Sequence, residues 1–123
     1  LFYVTVLQIK FIYKGEIMSI IEKMNKIVND GDTAGAEQII HDDYQFLMHS
    51  NGKSLTKKDV VSWVRMKDVK KSNVRVLFEN DEVGFENAMV TFNDGNKEAV
   101  MTYYKFKDGK VAYQETGATK LPK

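Results

Sequence analysis

The chain has 123 residues, 43% hydrophobic and 28% charged, which fits one globular domain and excludes a disordered polyelectrolyte. Lysine and arginine total 18 against 17 aspartates and glutamates, so a formal net charge of +1 argues against a general polyanion binder. Cysteine is absent, which removes a disulfide framework, a thiol nucleophile and cysteine-based metal or iron–sulfur sites.

Residues 1–13, LFYVTVLQIKFIY, are apolar at most positions but broken by Gln8 and Lys10. The stretch is shorter than the ~20 apolar residues that cross a bilayer. It fits sequence upstream of the true start, a shortened export signal or an extra edge strand. The first is preferred, because organised structure begins near Met18. Residues 1–17 are therefore read as an extension and 18–123 as a single domain. A cytoplasmic location is expected, with export left open by residues 1–13, and no membrane association is expected.

Ser19-Ile20-Ile21-Glu22 has the form of a capping box, and Ile20, Ile21, Met24, Ile27 and Val28 follow the helical period up to Asn29-Asp30-Gly31. Asp32 caps a short second helix over 33–40. Residues 44–49, YQFLMH, read as a strand closed by Ser50-Asn51-Gly52. Thr56, with Asp59 three residues on, starts a third helix whose apolar side carries Val60, Val61, Trp63 and Val64. From Ser72 the period changes to two, predicting strands over about 73–79, 83–92, 97–107 and 110–118. Asp94-Gly95 and Asp108-Gly109 are both read as two-residue hairpin turns.

Those turns set the expected register. Tyr104 opposes Tyr113, Thr102 opposes Glu115, Met89 opposes Val100 and Phe85 opposes Tyr104, with Val74, Val76 and Phe78 extrapolated to the same side. That side is aromatic, with a polar patch of Asn87, Thr102 and Glu115. The opposite side carries Leu77, Ala88, Val90, Ala99, Met101, Tyr103, Ala112 and Gln114. A sheet apolar on both sides needs helices on one and a second subunit on the other. A homodimer is expected through Leu77, Ala88, Val90, Met101, Tyr103 and Ala112. A one-residue slip exchanges the two faces.

The first helix ending in NDGD, the short helix before DDYQF, the strand, loop and capped helix of HSNGKSLTKKDVVSW and the meander closing in YYKFKDGKVAYQET resemble the nuclear transport factor 2-like superfamily. The final hairpin, FKDGKV, is most similar to its SnoaL-like group, and the resemblance spans about residues 18–119. It implies an α+β conical barrel, a strongly bent antiparallel sheet wrapped around three N-terminal helices, with a pocket in the cone and commonly a homodimer. It does not select a chemistry, since the superfamily includes isomerases, cyclases, dehydratases, carriers and structural dimerisation modules.

His49 ends the first strand, where the ketosteroid isomerase branch places a carboxylate base; a histidine there could shuttle a proton near neutral pH. The alternative is a strand-end histidine hydrogen-bonded to a polar loop. The hydroxyl donor of that branch falls on Met24, which cannot donate, so steroid enolisation is not implied. Glu115, if inward among Thr102 and Asn87, is the second candidate proton carrier. Met24, Trp63, Met66, Phe85, Asn87, Thr102, Tyr104 and Tyr113 are the expected ligand-contacting residues, with cross-strand packing the favoured alternative for Tyr104 and Tyr113 and ordinary helix–sheet core for Trp63 and Met66. His41-Asp42-Asp43 lacks the spacing of a metal site, so no metal or cofactor is expected. The basic run Arg65, Lys67, Lys70, Lys71 and Arg75 reads as solvated, and no nucleic acid is expected. The sequence thus supports a domain that binds a small apolar or aromatic molecule. A cofactor-free isomerase, cyclase or dehydratase using His49 and Glu115, and a purely structural dimerisation module, are the alternatives.

Overall fold

The computed structural model describes residues 18–122; the readings placed on residues 1–17 lie outside them. Chain order is α1 (Ile20–Asp30), α2 (Thr33–Ile39), β1 (Ile40–Met48), β2 (Lys53–Thr56), α3 (Lys57–Met66), β3 (Val69–Glu79), β4 (Val83–Phe92), β5 (Lys97–Lys107) and β6 (Lys110–Lys120). The six strands form one curved, open sheet in the order β2-β1-β6-β5-β4-β3, antiparallel except where β1 runs parallel to β6. The fold is α+β, with three helices packed on one face of the sheet.

Local chemistry sets the helix ends. The Ser19 hydroxyl accepts the Glu22 N–H, and Gly31 closes α1 in the left-handed region at φ 66°. Another carboxylate caps two further donors. The Glu79 carboxylate, at the end of β3, accepts the N–H groups of Ile20 and Ile21 at 3.2 and 3.3 Å. A carboxylate there satisfies two orphan donors and sits at the positive end of the helix dipole. Thr56 and Asp59 form the reciprocal capping box that the sequence predicts for α3. Ser50-Asn51-Gly52 does more than close a strand: the chain turns back so that β2 pairs with β1 from Gln45↔Thr56 to Met48↔Lys53.

Two departures from the expected register decide which side chains enter the molecule. At Asp94-Gly95, Gly95 alone is in the left-handed region, and its N–H bonds to the Phe92 carbonyl. This is a type I turn followed by a left-handed residue, one residue longer than the predicted turn. Ala88, not Met89, therefore opposes Val100. Gly84, Glu86, Ala88 and Val90 of β4 face the helices, while Phe85, Asn87 and Met89 face outward. At Asp108-Gly109 both residues are left-handed and the two-residue turn forms as predicted, placing Phe106 opposite Val111. A bulge at Ala112 then brings Tyr113 opposite Lys105 and Thr116 opposite Thr102. Gln114, Thr116 and Ala118 consequently face inward, and Tyr113, Glu115 and Gly117 outward. Val74, Val76 and Phe78 on the edge strand β3 are exposed rather than interior.

The core joins Ile21, Met24, Ile27 and Val28 of α1 and Val60, Val61 and Val64 of α3 to Ile40, Tyr44, Val90, Val100, Tyr104, Phe106 and Val111 of the sheet. Ala88 and Val90, expected on the subunit-facing side, are buried here.

Candidate functional site

Between α1, α3 and the inner face of the sheet lies a cavity of about 350 Å³. Met24 and Val28 of α1, Val60 and Trp63 of α3, Phe46 and Met48 of β1, and Val90, Val100 and Ala118 of the sheet give it apolar walls. Thr102, Gln114 and Thr116 form a polar strip on the sheet side, and Lys71 on β3, Ser50, Asn51 and Glu98 are the other polar residues of the lining. An apolar enclosure with a few convergent polar groups is the usual form of a small-molecule site.

Lys71 is the cationic group in this wall. Its backbone is held to α1 by Asn29, whose amide accepts the Lys71 N–H at 2.8 Å and donates to its carbonyl at 3.0 Å. Its ammonium donates to Glu86 at 2.7 Å, with side-chain exposures of 11% for Lys71 and 0% for Glu86. The Glu86 carboxylate also accepts from the Asn25 amide and from the Tyr104 hydroxyl, the latter at 3.2 Å. Burial lowers the proton affinity of Lys71, and the neighbouring Glu86 charge partly restores it. Burial pushes the Tyr104 phenol well above its ordinary range, with Glu86 adding to the effect. A second buried contact, from the Tyr44 hydroxyl to Gln114 at 2.6 Å, fixes the amide that reaches the polar strip.

In the sequence Lys71 belongs to a basic run that reads as solvated, and nothing around Glu86 marks it as buried. The missing signal is parity: once β4 is displaced by one residue, Glu86 is the carboxylate of its inner face. The inner position of Lys71 follows from its pairing with Val90.

Of the residues singled out for ligand contact, Met24, Trp63 and Thr102 line the cavity. Tyr104 is fully buried, with its hydroxyl committed to Glu86. Met66 is 60% exposed at the end of α3. Phe85, Asn87 and Tyr113 lie on the outer face, for the register reasons above. Asn87 accepts from Arg75 there at 3.0 Å, and Phe85 stacks on Tyr103 with ring centroids 5.0 Å apart.

His49 and Glu115 do come together, with Nε2 and Oε2 2.7 Å apart, but on the outer face, where their side chains are 56% and 36% exposed. The Tyr113 hydroxyl donates to the other Glu115 oxygen at 2.8 Å. Thr102 and Asn87, expected to flank this carboxylate, do not contact it. The bond from His49, then that from Tyr113, holds the Glu115 carboxyl below its ordinary value. His49→Ala should therefore raise the Glu115 titration midpoint towards the ordinary carboxylate value, as read by NMR. Because the folded value is depressed, its contribution to stability is present above the ordinary carboxylate range. That contribution fades as pH falls through the folded midpoint. Among the described residues no group of three or more histidine, aspartate or glutamate side chains could hold a metal ion. No helix among them is long and apolar enough to cross a membrane.

No protein-family model matches the sequence, and neither does any curated protein. Solved structures do. A protein provisionally named a ketosteroid isomerase, from Kribbella flavida, superposes with a TM-score of 0.72 at 12% identity, covering 85% of this chain and 78% of that one. An NTF2-like protein of unknown function from Cytophaga hutchinsonii gives 0.71 at 11% identity, over 81% and 87%. IdmH from Streptomyces antibioticus, provisionally described as a polyketide cyclase, gives 0.61 at 14% identity, over 80% and 88%. At these identities the likeness concerns the backbone fold. The chain has the nuclear transport factor 2-like fold.

Proposed function

We propose that the protein binds a small, largely apolar molecule in the cavity between α1, α3 and the sheet. The observation that carries this reading is an apolar enclosure of about 350 Å³ whose wall contains a lysine and a threonine-lined strip. The Lys71–Glu86 pair is neutral overall, and Lys71 has three N–H donors of which Glu86 takes one. A neutral ligand with a hydrogen-bond acceptor at one end suits this better than a carboxylate, which Glu86 would repel. Neighbours named for isomerase and cyclase chemistry support a site of this general kind. Any proton transfer in this chain is assigned to the cavity groups, because His49 and Glu115 face away from them.

The test uses Trp63, the single tryptophan, which lines the cavity. Octanol should change its fluorescence saturably, and Lys71→Met should weaken binding by about tenfold, one lost polar contact being worth about 1.4 kcal/mol. A fluorescence signal unaltered by octanol would count against the reading.

The same proposal assigns the outer face to a second copy of the chain. Phe78, Phe85 and Met101 are 51%, 40% and 46% exposed there, beside Tyr103. Leu77 is exposed near the β3 edge, and Ala112 lies at the bulge. Light scattering should give a dimer, and Met101→Glu should shift it to monomer by placing a charge in the apolar patch. The cytoplasmic location belongs to this proposal too and is read by cell fractionation.

A further inference from the structure

Three features single out Lys71 among the amines. It is the only lysine lining the cavity among the described residues. Its side chain is nearly buried, and its position is fixed at both ends, by Asn29 on the backbone and Glu86 on the ammonium. The group that holds the ammonium is itself a proton acceptor, kept in place by Asn25 and Tyr104. Surface lysines hold their proton tightly in water, whereas a lysine taken out of water gives it up more readily; here burial outweighs the opposing pull of Glu86, which is also placed to receive the proton.

We propose that Lys71 is an amine nucleophile that forms an imine with a small apolar aldehyde or ketone admitted to the cavity. The proposal rests on reading the cavity as a ligand site and names the substrate class for it. The ammonium passes one proton to Glu86, and the nitrogen lone pair attacks the carbonyl carbon. A C–N bond forms as the carbonyl π-bond opens, and the oxygen takes up the proton released from nitrogen, giving a neutral carbinolamine. Glu86 then returns its proton to the hydroxyl, water leaves as the nitrogen lone pair closes the C=N bond, and the product is a protonated imine. No oxidant or cofactor enters the balance. The burial that lowers the proton affinity of Lys71 favours the first step.

The experiment treats the whole protein with octanal and sodium cyanoborohydride, which reduces an imine to a stable secondary amine, and locates the adduct by peptide mass spectrometry. Octanol, which has no carbonyl, is titrated in parallel against Trp63 fluorescence. The expected result is an adduct at Lys71 forming at least about tenfold faster than at solvent-exposed lysines such as Lys26 and Lys97. That fast phase should disappear in Lys71→Met. If the variant does not fold, the site map of the wild type decides alone. Octanol binding without preferential labelling of Lys71 would overturn the imine proposal and leave the ligand site standing. Loss of both signals would overturn the two together.

Discussion

Glu86→Ala should be among the most damaging single substitutions in the chain, lowering unfolding free energy by about 3–5 kcal/mol. The carboxylate is fully buried and receives bonds from Lys71, Asn25 and Tyr104. Its removal leaves a nearly buried ammonium, an amide and a phenol facing apolar surroundings. The amide is already strained for partners, since the Asn25 side-chain oxygen is buried without one. A loss of that size is a large fraction of the ~5–15 kcal/mol that holds a typical domain folded. The same argument predicts that Glu86→Leu combined with Lys71→Met is less harmful than Glu86→Ala alone, because it removes the stranded charge as well. Urea denaturation followed by circular dichroism gives both values. A cost below about 1 kcal/mol for Glu86→Ala would mean that water replaces the carboxylate, and that the interior is wetter than described.

Ala118→Phe should abolish ligand binding while the protein stays folded. Ala118 is on the inner face of β6, opposite Val100, and both line the cavity. A phenyl ring there projects into existing space, so the usual overpacking cost of about 1–3 kcal/mol is largely avoided. Octanol affinity, read from Trp63 fluorescence, should fall more than about tenfold, with the urea midpoint nearly unchanged. Unchanged affinity would place the ligand elsewhere.

How far the fold is legible in sequence can be judged from the two Asp-Gly hairpins. The strands they join are readable: β4 and β5 run over the residues that alternation predicts. The loops are not, because the same dipeptide closes two different turns. Asp108 takes the left-handed conformation with Gly109. Asp94 instead accepts the Asn96 N–H at 2.9 Å and its side-chain amide at 2.7 Å, which ties it into the longer loop. That one residue turns all of β4 over. The bulge at Ala112 does the same to β6, close to where the β1–β6 pairing also shifts register between Ile40 and Gln45. A bulge of this kind is settled by packing between strands remote in sequence.

The consequences for the site follow strand by strand. Met24 and Trp63 lie on helices whose periodicity is unambiguous, and Thr102 lies on β5, whose parity is unaffected. All three reach the cavity. Phe85, Asn87, Tyr113 and Glu115 lie on the two inverted strands and point away. Lys71 and Glu86 are charged residues in an alternating context, where solvent is the default reading. Only the pairing of β3 with β4, and the position of α1 above them, shows that each is the other's partner.

The central claim is that the inner cavity, not the outer cluster of His49, Glu115 and aromatic rings, receives the ligand. Amide and methyl chemical-shift mapping during an octanol titration tests it most directly. The account predicts saturable shifts at Met24, Val60, Trp63, Val100 and Thr116, with His49, Phe85 and Tyr103 unmoved. Shifts concentrated at His49, Phe85, Tyr103 and Glu115, with the cavity wall silent, would contradict it.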